Sequence, residues 1–147
     1  MKKEFNKSSK KEYVFDSFAL ISLVEKEREF KKVVEILDKA QRKEVAVYLS
    51  KINEGEIYYL IYKNRGRLYA EELRNALKTG KFPIEIVSCT DRRIEEASEI
   101  KAIYPISYSD AFAAQLAFEK SATLVTGDPE FKSLEKEGLI DILWISK

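Results

Sequence analysis

Thr123-Leu124-Val125-Thr126-Gly127-Asp128-Pro129 decides how this chain folds. Four β-branched or apolar residues make a short strand, and Gly127 interrupts it. Asp128 then offers an N-cap, with Pro129 at the first helical position, where a missing N–H costs nothing. A strand feeding directly into a helix start is half of a β–α unit, and the same pattern recurs upstream. Glu12-Tyr13-Val14-Phe15-Asp16 is a β-prone run that stops at an acidic residue. Helical spacing follows over residues 17–26, through Leu20, Leu23 and Val24, and over 29–40, through Val33, Val34 and Leu37. Ser50 caps a helix expected over 51–64, with Gly66 just beyond its end, and another spans 68–78 before Gly80. Pro83 introduces a strand at 84–88. A helix covers 91–102, the next runs from Ser107 to about residue 120, and 140–145 forms a last strand. Residues 45–49 are apolar and read either as a brief strand or as the lead-in to the next helix. Short apolar strands without clear alternation, separated by helices, predict a three-layer α/β/α sandwich. Its central, mainly parallel sheet has four or five short strands.

The 147 residues fit one domain. Residues 1–11 carry five Lys and one Glu and are expected to be a flexible basic tail, leaving 12–147 as the folded domain. The chain is 45% hydrophobic and 35% charged, and 26 basic against 25 acidic residues give a net charge of +1. Any nucleic-acid surface must therefore be a local patch. No apolar run approaches the roughly 20 residues of a membrane span. The single cysteine, Cys89, forms no internal disulfide, and a reducing, cytoplasmic location is expected. The chain has no His. That removes the commonest general base and transition-metal ligand, and with them Ser–His and Cys–His nucleophile pairs. Chemistry must rest on carboxylates, Lys, Tyr or a hard metal ion.

In an open parallel sheet, ligands bind beyond the carboxyl ends of the strands. Asp16 and Asp128 stand at two such ends. Asp110 shares a helical stripe with Ala113, Ala114 and Ala117, small residues that let the helix approach the sheet. Glu56 shares its stripe with Ile52, Asn53, Tyr59 and Leu60. A carboxylate among apolar neighbours is costly unless paired, protonated or bound to a cation. Each residue also has a purely structural reading. Asp16 and Asp128 can be N-caps, Asp110 can sit at N3 of a helix capped by Ser107, and Glu56 can pair with Lys51 or Lys63. Glu54 competes with Glu56, since two residues apart on a helix means opposite faces. The neighbours of Glu54 (Ser50, Lys51, Ile57 and Tyr58) are more mixed, which leans toward Glu56 without excluding Glu54.

Four blocks, Tyr13–Ser17, Ile52–Leu60, Ser107–Ala114 and Val125–Phe131, resemble in order and spacing those of PIN domains, and most of all those of VapC-type toxins of type II toxin–antitoxin pairs. The resemblance implies a Mg²⁺- or Mn²⁺-dependent endoribonuclease. It matches Asp16, Glu56, Asp110 and Asp128 to the acidic positions, preferring Glu56 to Glu54, and Ser17 and Thr126 to small hydroxyl positions near the site. Asp16, Asp110 and Asp128 are the expected metal ligands; Glu56 either completes the cation site or orients the attacking water. The resemblance further implies a homodimer held by a small antitoxin, although the tail before Tyr13 is longer than such toxins carry. RNA maturation or decay enzymes and non-catalytic scaffolds also use this domain. Lys63, Arg65, Arg67, Arg92 and Arg93 are candidate phosphate contacts, against the reading that they are a solvated face near acidic partners. Tyr58, Tyr59, Tyr62 and Tyr69 can stack bases or form core or interface. A phosphoacceptor receiver domain fits less well: Asp16 is followed by Ser17, and the late strand leads to Gly127-Asp128 where that fold wants Lys.

Overall fold

The computed structural model describes residues 10–26 and 30–145. Its elements run β1 (Lys11–Phe15), α1 (Ser17–Val24), α2 (Phe30–Gln41), β2 (Val45–Ser50), α3 (Lys51–Arg65), α4 (Arg67–Lys78), β3 (Glu85–Val87), α5 (Asp91–Ile103), α6 (Tyr108–Lys120) and β4 (Thr123–Thr126), then a 3-10 turn (Pro129–Phe131), α7 (Lys132–Lys136) and β5 (Asp141–Trp144). The five strands form one parallel sheet in the order β3-β2-β1-β4-β5. The ambiguous segment at 45–49 is thus a strand, with β1 on one side and β3 on the other. Lys11, assigned to the basic tail, already belongs to β1: it is in register with Val45, and its Nζ donates to Thr123 Oγ1 at 2.8 Å. Residues 1–9 of the expected tail lie outside the described residues.

The sheet separates two cores because successive side chains of a strand point to opposite faces. Phe15, Leu49 and Val125 pack with α1, α2, α3 and α4, through Leu20, Val33, Leu37, Ile57, Ile61 and Leu73. Val14 and Leu124 pack on the other side with α5, α6 and α7, through Ala97, Phe112, Leu116 and Leu134. Burial of both faces explains why β2 and β4 read as nearly unbroken apolar runs. The small-residue stripe of α6 does what its composition suggests. Ala111, Ala113, Ala114 and Ala117 are all buried, and α6 lies against β1, β2, β4, α3 and α5.

The order 3-2-1-4-5 places a switch point between β1 and β4, from which the chain winds outward in both directions. Connections leaving the carboxyl ends of these two strands diverge to opposite sides of the sheet and leave a crevice between them. Two helix joints set the course of α3. Ser50 Oγ caps α3 by accepting from Ile52 N at 3.2 Å. Gly66, at φ +93°, lets α4 start immediately after α3, a backbone state that side chains other than glycine rarely adopt.

A candidate carboxylate site at the switch point

Asp16 leaves β1 buried and caps α1, its Oδ1 accepting from Ala19 N at 2.9 Å. Its Oδ2 accepts from the hydroxyl of Thr126 at the end of β4. Thr126 Oγ1 also accepts from Asp128 N at 3.0 Å, so its one proton is committed to Asp16. A single buried hydroxyl thereby ties the two strand ends together. Asp128 caps the turn that follows, accepting from Glu130 N at 2.9 Å. From the far side, Ser107 Oγ accepts from Asp110 N at 3.2 Å, the N3 arrangement of a capped helix. The structural roles read for Asp16, Asp110 and Asp128 are therefore present, and the same geometry aims their carboxylates into one place.

Asp16, Ser17, Glu56, Asp110 and Asp128 line a cleft of about 250 Å³ whose remaining wall is Phe18, Ile21, Ser22 and Leu60. All four expected carboxylates and Ser17 face this cleft; Thr126 stands behind it, beneath Asp16 and Asp128. Oxygens of Asp110, Asp128 and Glu130 come within 4.8 Å of one another. Glu130 is a residue that sequence reasoning missed, although it stands inside the Val125–Phe131 block. The 3-10 turn after Pro129 folds it back beside Asp128, where its Oε1 also accepts from Ser107 N at 3.1 Å. An Asp-Pro-Glu turn two residues after a strand end was the available signal.

Crowding perturbs the carboxyls. Asp16 is pushed up to about 7 by burial and by the charges of Asp128 and Glu56, against the pull of the Thr126 and Ala19 hydrogen bonds. Asp110 is pushed up to about 9, first by burial, then by donating its proton to Glu130, and then by the charges of Asp16, Asp128 and Glu130. At neutral pH, without a cation, the cleft stores protons that carboxyls in water would have released. A divalent ion relieves that burden, and an all-oxygen donor set suits hard ions such as Mg²⁺ and Mn²⁺. The residues therefore fit such a group.

Glu54 and Glu56 separate as the helix geometry requires, but their burial is the reverse of what their neighbours suggested. Glu54 is the buried one, 4% exposed, salt-bridged to Lys51 at 2.7 Å on the side of α4. Glu56 is half-buried and faces the cleft, held by the hydroxyls of Ser17 and, at 3.1 Å, Ser109. Lys51 thus pairs with Glu54, leaving Glu56 to the cleft.

Three of the candidate phosphate contacts have acidic partners. Arg65 pairs with Glu25 at 2.7 Å, Arg92 with Glu96 at 2.9 Å, and Arg93 with Glu119 at 2.8 Å while also donating to Ser88 O. Lys63, Arg65 and Arg67 crowd the α3–α4 corner, whereas Arg92 and Arg93 are on α5, away from the lining of the cleft. Tyr59, Tyr62 and Tyr69 are exposed, so they are no part of the core; Tyr58 is half-buried and carries Arg74 over its ring.

Five parallel strands with carboxylates gathered at the switch point define an α/β domain whose candidate site is an acidic, metal-type crevice. The PIN domain model matches residues 13–137, and the chain belongs to the PIN domain family. Among curated proteins, none matches the chain by sequence. Solved structures similar to it include VapBC2 from Rickettsia felis bound to a DNA fragment from its promoter. That match has 17% identity and a TM-score of 0.68, and covers 90% of this chain and 97% of that one. A toxin–antitoxin complex from Klebsiella pneumoniae matches at 19% identity and a TM-score of 0.66, over 92% and 98% of the two chains. VapC20 from Mycobacterium tuberculosis, described as a sarcin-ricin loop cleaving toxin, matches at 16% and 0.65, over 82% and 93%. At these identities the likeness establishes the fold.

Proposed function

We propose that the chain is a Mg²⁺- or Mn²⁺-dependent endoribonuclease that hydrolyses RNA phosphodiester bonds, and that it is the toxin of a type II toxin–antitoxin pair. The observation that carries the catalytic part is the convergence of Asp16, Glu56, Asp110 and Asp128 on one cleft at the switch point, in a chain with no His. Asp16, Asp110 and Asp128 would hold the cation, and Glu130 adds an oxygen beside Asp110 and Asp128. When bound, the ion supplies Lewis acidity at the scissile phosphate and lowers the cost of ionising an attacking water.

The protein's own contribution is position and proton placement. Thr126 fixes Asp16 with one oxygen turned to the hydroxyl, and Ala19 N–H holds the other, so the carboxylate cannot rotate freely. Glu56, anchored by Ser17 and Ser109 on the opposite wall, is the group placed to orient a water toward the phosphate. Phe18, Ile21 and Leu60 give the cleft an apolar flank that limits competing solvent.

The toxin assignment is supported by family membership and by the toxin–antitoxin complexes among the structural neighbours. It carries with it a small antitoxin partner, a homodimer and a cytoplasmic location. A PIN nuclease of RNA processing or decay uses the same cleft and differs in its partner. The test is cleavage of a single-stranded RNA by the purified protein. EDTA should stop it, and Mg²⁺ or Mn²⁺ should restore it; cleavage undiminished in excess chelator contradicts the proposal.

A further inference from the structure

Glu56 is held by more than its own helix. Asn53 lies one turn earlier on the same face of α3 and is fully buried. Its Nδ2 donates to the backbone oxygen of Ser109 in the first turn of α6, at 3.0 Å. Ser109 returns a bond to α3: its hydroxyl donates to Glu56 Oε2 at 3.1 Å. The hydroxyl of Ser17, at the start of α1, donates to Glu56 Oε1 and also lies 3.4 Å from Asn53 O. Behind Ser109, Ser107 Oγ accepts from Asp110 N, which leaves its proton for Ser109 Oγ at 3.4 Å. The hydroxyls then line up as Ser107 to Ser109 to Glu56, each polarising the next.

We propose that Ser109, seated by Asn53, is a positioning residue that clasps the Glu56 carboxylate and couples its orientation to Asp110, the next residue on α6. The inference rests on the nuclease reading for its kinetic consequence and on geometry alone for the clasp. Both carboxylate oxygens of Glu56 meet a hydroxyl from a different helix, so the side chain has one orientation. With the Ser109 hydroxyl gone, Oε2 has no hydrogen-bond donor among the described residues, and Glu56 is free to pivot about its bond to Ser17. Asn53→Ala would release the α6 end of the clasp as well, and being buried it is the variant that risks the fold. Ser109 is half-buried at a helix start, where Ala is tolerated.

The experiment compares wild type, Ser109→Ala and Ser109→Thr in steady-state cleavage of a single-stranded RNA with Mn²⁺. The same three proteins are examined by NMR with ¹³C-labelled glutamate carboxyls, the Glu56 signal being assigned through Glu56→Gln. Losing a hydrogen bond to a charged group should lower kcat roughly tenfold in Ser109→Ala. KM should stay within about twofold, since substrate affinity is not what the clasp controls. Ser109→Thr keeps the hydroxyl and should recover most of the loss. The Glu56 carboxyl resonance should shift and broaden in Ser109→Ala and hold its wild-type position in Ser109→Thr. An unmoved resonance in Ser109→Ala, or equal kinetic loss in the Ala and Thr variants, overturns the clasp. Absence of cleavage in the wild type refutes the nuclease reading, and the resonance then decides the clasp alone.

Discussion

Replacing Asp110 by Asn should make the metal-free protein more stable, although it removes a residue from the centre of the candidate site. A carboxyl whose folded pKa is raised supports folding fully below its unfolded pKa, near 3.8, and that support is lost as pH rises toward the folded value, here about 9. At pH 7.5 an isolated carboxyl perturbed this far loses about 1.4 kcal/mol for each of nearly four pH units, or about 5 kcal/mol. The measurable part is smaller. Asp110 lines an open cleft, and the repulsion relieved is divided among the charges of Asp16, Asp128 and Glu130, which solvent partly screens, so about 1–2 kcal/mol is expected. For a domain of this size that raises Tm by about 3–6 °C. An Asn at N3 keeps the backbone bond to Ser107 and can still donate to Glu130, so the substitution isolates the charge. Thermal unfolding of both proteins in EDTA at about pH 5, 6.5 and 8 should show the gap widening with pH. Saturating Mn²⁺ should then stabilise the wild type by roughly 2.7 kcal/mol at 100 times its dissociation constant, and the variant, short of one ligand, by much less. Equal metal increments in the two proteins would make Asp110 an ordinary helix-terminus residue. A variant no more stable than wild type in EDTA at pH 8 would refute the crowding argument itself.

Asp16→Asn should abolish cleavage, by a factor of about 10³ or more, while far-UV circular dichroism stays near wild type, because Asn keeps the cap on Ala19 N–H. Its amide loses the bond accepted from Thr126, so Tm should fall by only a few degrees. Unfolding of that variant would show that the cap, with its link to Thr126, matters more than the charge. Glu56→Gln should cripple cleavage, whereas Glu54→Gln should keep most of it and lower Tm, since Glu54 is buried against α4 and paired with Lys51; the opposite ranking in parallel kinetic and melting assays would place the cleft on the wrong face of α3.

Much of this was legible in the sequence, and the parts that were not share a cause. Strand–turn–acid runs at Asp16 and Asp128, with the caps Ser50 and Ser107, are local events, and local chemistry is enough to place them. Glu54 and Glu56 show the limit. Helical periodicity puts them on opposite faces, yet which face meets α4 and which opens on the cleft depends on helices packed from elsewhere in the chain. The segment at 45–49 became a strand because β1 and β3 were there to pair with it, which no window of residues reveals. Arg65 and Arg93 looked available for phosphate, but their partners Glu25 and Glu119 lie 40 and 26 residues away. Asn53 was visible on the Glu56 stripe, but the bonds of Ser109 to Glu56 and of Asn53 to Ser109 were not, since they span 53 and 56 residues. The fold itself is carried by repeated local signals, and the fine division of labour around the cleft by contacts between distant helices.

The proposed chemistry requires that the cleft at the switch point be a divalent-cation site. Crystals soaked in Mn²⁺ and measured for anomalous scattering answer that without reference to activity. A peak is expected within coordination distance, about 2.0–2.3 Å, of carboxylate oxygens from Asp16, Asp110 or Asp128, and it should weaken or vanish in Asp110→Asn. Saturating Mn²⁺ that binds only at other acidic surface positions, leaving this cleft empty, would contradict a cation site at the switch point.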